Sequence, residues 1–171
     1  VKMQIGNIKV RVTAITVAVF LFFIALIAVY IFITGDVHAL LWALPAAVML
    51  LLIPMALNYM SQKQYASLVP VYEAEAKNAR IREINLNRLG EPVRIKGVVE
   101  RVYFQFLNRP QYLVADRTGE ISVKMFTSPA EDVHEGDLVE VLGTVVKRYI
   151  LAGDAVINCV SIRKVKKNQQ S

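Results

Sequence analysis

Cysteine is almost absent from this sequence: among 171 residues there is one, Cys159. A single thiol excludes an internal disulfide and any cysteine-built metal site. It stands among Ile157, Val160 and Ile162, so it reads as a small buried hydrophobe rather than a reactive thiol. Histidine is nearly as scarce. His38 and His134, the two present, are far apart and neither has a partner at ligand spacing. No metal centre is expected, and no Ser-His-Asp set can be assembled. A phosphate-cradling glycine loop is missing too, since Gly136 and Gly143 fall beside or within a strand pattern. The carboxylate pairs Asp116 with Glu120 and Asp132 with Glu135 lie in turn-like segments and read as turn formers and solvated charges, not as an acid–base pair. Nothing here supports catalysis, and neither cofactor nor metal is expected.

Charge is missing from two long stretches. Val12 to Gly35 and Val37 to Gln62 contain no Asp, Glu, Lys or Arg. An α-helix rises about 1.5 Å per residue, so about 20 apolar residues cross a bilayer core. Val12 to Thr34 supplies one such span and Ala39 to Met60 a second. The first is too long and too aromatic for a signal-peptide core and is followed at once by the second. Only Gly35, Asp36, Val37 and His38 separate them, which forces an antiparallel hairpin. Tyr30 and Trp42 flank that turn, where amphipathic rings favour the lipid–water boundary. Lys2, Lys9 and Arg11 precede the first span, Lys63, Lys77, Arg80 and Arg82 follow the second, and the turn carries no basic residue. The positive-inside rule therefore places both ends in the cytoplasm of a two-span cell-membrane protein. Ala39, Ala43 and Ala47 recur at four-residue spacing and would let the second helix pack closely on a neighbour. Mid-span is wholly apolar, so the hairpin reads as an anchor or a helix-docking surface rather than a transport pathway.

Net charge is +6 and the isoelectric point about 9.5, but the excess is not in the C-terminal domain. Glu91 to Lys167 holds twelve basic and ten acidic residues. Without Arg163, Lys164, Lys166 and Lys167 that domain is slightly acidic. The basic surplus sits in the N-terminal arm, after the second span and in the tail, where it suits anionic lipid head groups. The expected organisation is a basic cytoplasmic arm at 1–11, the hairpin at 12–60, a helical juxtamembrane linker at 61–90, a β-domain at 91–165 and a basic, polar tail at 166–171. Within the linker, Pro70 divides two halves. Val71, Ala74, Ile81 and Ile84 form a thin apolar stripe, Glu73 and Lys77 are spaced for a helical ion pair, and Gly90 reads as the stop.

From Pro92 the period shifts toward two. Strands are expected at Val93 to Phe106 (with a bulge or corner at Gly97), Tyr112 to Ala115, Ile121 to Phe126, Gly136 to Tyr149 and Asp154 to Lys164. Ser128 to Glu135 forms a short helical or loop connector. Five strands, a connector between the third and fourth, and a glycine inside each of two long strands describe a five-stranded Greek-key barrel of OB type. The run YLVADRTGEISVKMF, Tyr112 to Phe126, resembles the strand 2–3 hairpin of OB-folds from the replication-protein-A and anticodon-binding groups. The run EGDLVEVLGTV, Glu135 to Val145, is similar to their fourth strand. The same features resemble the haem chaperone of cytochrome c maturation, although no His or Cys beside a tyrosine follows Tyr149. Membrane helices joined to an OB domain also resemble NfeD-like proteins in architecture.

OB-folds bind across strands 2–3 and the loops joining strands 1–2 and 4–5. Residues expected there are Tyr103, Phe104, Phe106, Arg109, Tyr112, Lys124, Phe126, Arg148 and Tyr149. Rings interleaved with Arg and Lys suit a single nucleic-acid strand, because bases stack on rings while cations follow phosphates. Ile150 and Leu151, in the strand 4–5 loop, are apolar and suit a protein partner. Three readings stand: a non-enzymatic docking or accessory module of a membrane complex, a membrane-tethered binder of single-stranded nucleic acid, or a carrier of haem or another small ligand.

Overall fold

A computed structural model describes residues 2–5, 8–11, 14–107, 109–149 and 153–165, with the backbone alone for 2–11 and for Leu107. The chain divides into two compact units, Val1–Ser61 and Gln62–Ser171.

In the first unit β1 (Lys2–Ile5) and β2 (Ile8–Arg11) pair antiparallel, so the basic arm is a short hairpin. Helix α1 (Ala14–Thr34) and helix α2 (Leu40–Glu75) follow. Both are long and apolar enough to cross a bilayer, and their most apolar windows are 0% and 11% buried. The core helix of a water-soluble domain would be largely covered. The turn between them is built by its own residues. Gly35 takes a φ of 69°, and its N–H donates to the Ile31 carbonyl at 2.8 Å, closing α1. The Asp36 carboxylate accepts from the His38 N–H at 3.0 Å and opens a one-turn 3-10 helix, Val37–Ala39. Ala39, Ala43 and Ala47 are buried. The last two line an apolar groove together with Phe23 and Ile27 of α1. Small side chains at this spacing bring backbones close.

Helix α2 runs unbroken through Pro45, Pro54 and Pro70 to Glu75, so Pro70 does not divide it. Each proline removes one backbone donor, a loss a long, otherwise regular helix absorbs. The linker is helical only to that point. Lys77–Asn78 form β3, parallel to the start of the first barrel strand, and two 3-10 turns follow at Ile81–Glu83 and Leu86–Arg88. The expected stripe is therefore corrected. Ile81 and Ile84 belong to no helix; they are core side chains of the barrel. Asp116 explains why the chain leaves helical geometry there. Its carboxylate accepts from the Ile81 N–H at 3.0 Å, from the Thr118 N–H and hydroxyl at 2.6 Å each, and from the Gly119 N–H at 3.1 Å. Desolvation pushes this carboxyl up, but those donors together hold it below the usual carboxylate range. A turn former thus also staples the linker to a strand hairpin.

The barrel strands are β4 (Pro92–Tyr103), β5 (Gln111–Asp116), β6 (Gly119–Met125), β7 (Leu138–Lys147) and β8 (Ala155–Lys164). Pairing runs β4-β5-β6-β8-β7, and β7 returns to β4, which closes the sheet. All pairs are antiparallel except β6 with β8. This order and this single parallel seam are those of the OB barrel, as expected. Alternation decides the core: Ile121, Val123 and Met125 point inward with Val93, Ile95, Val99, Val114, Val139, Val141, Val145, Ile157, Cys159 and Ile162. Strand β4 serves two neighbours, β7 up to Val98 and β5 from Val98 onward. The register shift falls between Val99 and Arg101 rather than at Gly97. Gly97 is needed for proximity, since a Cβ there would lie 2.5 Å from the Ala115 carbonyl oxygen. The connector from Phe126 to Asp137 is a loop of bends and turns without a helix. It places Val133 in the core, and the Gln105 side-chain N–H donates to the Val133 carbonyl at 3.2 Å.

The end of α2 belongs to this second unit and packs on the barrel. The Tyr72 and Thr144 hydroxyls are 2.7 Å apart. Glu73 pairs with Arg163 at 2.7 Å, and its carbonyl accepts from Arg94 at 3.2 Å. The expected Glu73–Lys77 pair is replaced by this contact to β8. Leu142 and Val160 are buried yet stand outside the barrel core. They flank the same seam, so the helix covers an outer face of β7 and β8. A fragment cut at Arg88, though long enough to form the five strands, would lose Ile81, Ile84 and this helix.

Candidate functional site

The outer face of β4, β5 and β6 is built by alternation and register. Tyr103 stands opposite Gln111, which stands opposite Lys124; one step along, Arg101 stands opposite Leu113, and Leu113 opposite Ser122. With Val114, Val123 and Met125 committed inward, this row must point outward. Arg101, absent from the sequence-based set, bonds the Tyr103 side chain, and that bond chiefly holds its guanidinium above the ordinary value. Its signal in the sequence is the period of two: Arg101 precedes Tyr103 by two residues of one strand, so the two share a face.

Around this row stand exposed rings. Phe106 is 63% exposed, Phe126 47% and Tyr149 64%, with Tyr103 and Phe104 also exposed. The Tyr103 and Phe104 rings are 6.5 Å apart and tilted. Phe104 has a φ of 57°, alone among the described non-glycine residues in being positive. That conformation costs an ordinary side chain about 1–2 kcal/mol, and here it turns a large ring outward at the start of the β4–β5 loop. Tyr149, in the β7–β8 loop, lies over Lys124, with the ammonium 5.7 Å from the ring centroid. Arg109 and Arg148 are exposed on the same two loops. Eight of the nine expected residues thus remain on the surface.

Tyr112 is the exception and is corrected here. It is 1% exposed and heads the fully buried side chains. Its register partners Val102 and Val123 face inward with it. Strand period places a residue one step from Gln111 on the opposite face, so the ring fills the core. Ile150 and Leu151 lie outside the described residues.

Other candidate chemistries gain nothing. Among the described residues no group of three His, Cys, Asp or Glu side chains is gathered as a metal site. Cys159 is buried and desolvation pushes its thiol far up, so it stays protonated. Asp137 is bonded by Lys164 at 2.8 Å and by the His134 N–H at 2.8 Å, which hold its carboxyl below the usual range. Its role is to tie the connector to β8.

No protein-family model and no curated protein matches the chain. Solved structures do align with it over about half its length. Asparaginyl-tRNA synthetase from Pyrococcus horikoshii aligns at 16% identity and a TM-score of 0.45, covering 53% of this chain and 22% of that one. The second OB-fold domain of replication protein A from Methanococcus maripaludis aligns at 21% identity and 0.43, covering 55% and 100%. A replication protein A heterotrimer bound to single-stranded DNA aligns at 26% identity and 0.38, covering 46% and 59%. At such scores these alignments carry no argument of their own. The fold rests on the strand order and pairing given above.

Proposed function

We propose that this chain is a membrane-anchored, non-enzymatic OB module that binds single-stranded nucleic acid on the outer face of β4, β5 and β6. One observation carries the proposal: exposed rings on the two loops flank a strand row holding Arg101 and Lys124. Clustered exposed rings of this kind favour a contact surface. Stacking accepts any base and the cations accept any phosphate, so the binding is expected to be tolerant of sequence. The slightly acidic balance of the domain limits the number of phosphate contacts and predicts affinity no tighter than micromolar at physiological salt.

The test uses the full chain in nanodiscs of zwitterionic lipid and fluorescein-labelled oligonucleotides at low and moderate salt. Lys124→Ala should weaken all sequences alike and flatten the salt dependence by about one unit of slope. Phe126→Ala should cost about 1–3 kcal/mol with little change in that slope. Absence of binding by the parent at low salt would remove the proposal and leave protein docking as the function of the rings. Binding lost only on deletion of the 166–171 tail would show a nonspecific basic contact instead.

In the same proposal, α1 and the apolar part of α2 span the membrane with both chain ends in the cytoplasm, where nucleic acid resides. A cysteine at Asp36 should then react with an impermeant thiol reagent on intact cells, and one at Gln169 should not. The buried Cys159 supplies no background. The reverse pattern would overturn this topology.

A further inference from the structure

We infer that Tyr65, on the juxtamembrane end of α2, is a further ring of the nucleic-acid interface. The inference rests on the proposed face and extends it across the β6–β8 seam. Tyr72 fixes one end of the docked helix at Thr144 on β7. Thr144 is in register with Asn158 on β8, and Asn158 with Lys124 on β6. Neighbouring strands lie about 4.8 Å apart, so two steps carry the surface about 10 Å from Thr144 to Lys124. Tyr65 precedes Tyr72 by two helical turns, and at 1.5 Å per residue that is also about 10 Å.

The direction of the helix is given by its other end, where the Glu73 carbonyl accepts from Arg94 of β4 at 3.2 Å and β3 pairs with β4. Toward Tyr65 the helix thus leaves β4 and runs over β7 and β8, and the electrostatic influence of Arg109 and Cys159 on Tyr65 agrees with that course. Cys159 is in register with Met125 at the end of β6, and the Met125 N–H donates at 3.0 Å to the carbonyl of Pro110, the residue after Arg109. The helix therefore crosses β7 and β8 toward the β4–β5 loop, and Tyr65 comes to lie where Arg109 and Phe126 bound the exposed face. It is partly buried, so an edge of the ring stays open. Between helix and Lys124, the Asn158 side-chain oxygen is buried without a hydrogen-bond partner. An unpaired acceptor costs free energy in the unbound state and is relieved by a base N–H donor, such as the N3–H of thymine, that reaches it on binding. A strand crossing Lys124 would then be bounded by Tyr149 on one side and Tyr65 on the other.

The experiment is an anisotropy titration of the full chain in zwitterionic nanodiscs with labelled oligothymidylate. Tyr65→Ala should weaken binding about 5- to 150-fold, the loss of one stacked ring. Tyr65→Phe, which keeps the ring, should bind like the parent. A photoreactive benzoylphenylalanine at position 65 should crosslink to the oligonucleotide, a readout that a merely structural Tyr65 would not give. Tyr65→Ala binding like the parent while Phe126→Ala binds poorly, or the absence of the crosslink with binding intact, would overturn the inference and leave the proposed face standing. Loss of binding in the parent would overturn both.

Discussion

Tyr112→Ala is expected to destabilise the barrel strongly, where Phe126→Ala leaves it near parental stability. Both residues are aromatic, both lie on the β5–β6 hairpin, and sequence pattern alone places both on the ligand face. Burial separates them. Tyr112 is 1% exposed and Phe126 is 47% exposed. Truncating a fully buried aromatic ring removes its transfer free energy and leaves a cavity, together about 3–5 kcal/mol. A domain holds only about 5–15 kcal/mol in total. A surface ring away from special contacts changes stability by about 0.5 kcal/mol or less. Hydrogen exchange of barrel amides in the detergent-solubilised chain reads the opening of the barrel separately from the helices. Exchange should accelerate by roughly two to four orders of magnitude in Tyr112→Ala, and stay near parental in Phe126→Ala. A Tyr112→Ala protein with parental exchange and no oligonucleotide binding would restore Tyr112 to the ligand face.

Much of this arrangement is legible in the sequence, for identifiable reasons. The two charge-free runs mark the long apolar helices because each reaches the length, about 20 apolar residues, that a bilayer-crossing helix would need. The barrel is legible because Ile121, Val123 and Met125 alternate strictly with Ser122, Lys124 and Phe126, and because turn residues such as Asp116 to Gly119 punctuate the strands. Errors arise where a local pattern competes with a tertiary contact. Val71, Ala74, Ile81 and Ile84 fit a helical stripe, but the carboxylate of Asp116 captures the Ile81 N–H and turns the chain into the barrel core. Tyr112 stands opposite Val123, which faces the core, so its side is fixed by the β5–β6 register and not by its aromatic character. The docked end of α2 left a usable signal. Tyr65, Leu68, Val69 and Tyr72 share one helix face at the i, i+3, i+4, i+7 spacing, and this face packs on the barrel.

Gly143→Ala is expected to be the most damaging of the glycine substitutions, and the comparison with Gly136→Ala isolates why. Gly143 lies in β7 beside the register shift that separates Leu142 from it, opposite Cys159. A Cβ at Gly143 would collide with the carbonyl oxygen of Asn158 and lie 2.6 Å from the Ile157 Cγ2. The first obstacle is backbone and cannot rotate away; the second belongs to a fully buried side chain. Strands β7 and β8 must separate locally, at a cost at or above the usual 1–3 kcal/mol of overpacking. Gly136 has a φ of 87° with nothing within 4 Å of the added methyl. Its substitution carries only the left-handed penalty of about 1–2 kcal/mol. Cys159 reports the difference directly, because it is the single cysteine and lies on this seam, buried and protonated in the parent. A thiol reagent applied to the folded chain should modify Gly143→Ala fastest, and Gly136→Ala no more than about 5- to 30-fold faster than the parent. Gly136→Ala reacting faster than Gly143→Ala would mean that backbone conformation, not the close approach of β7 to β8, is what glycine supplies to this barrel.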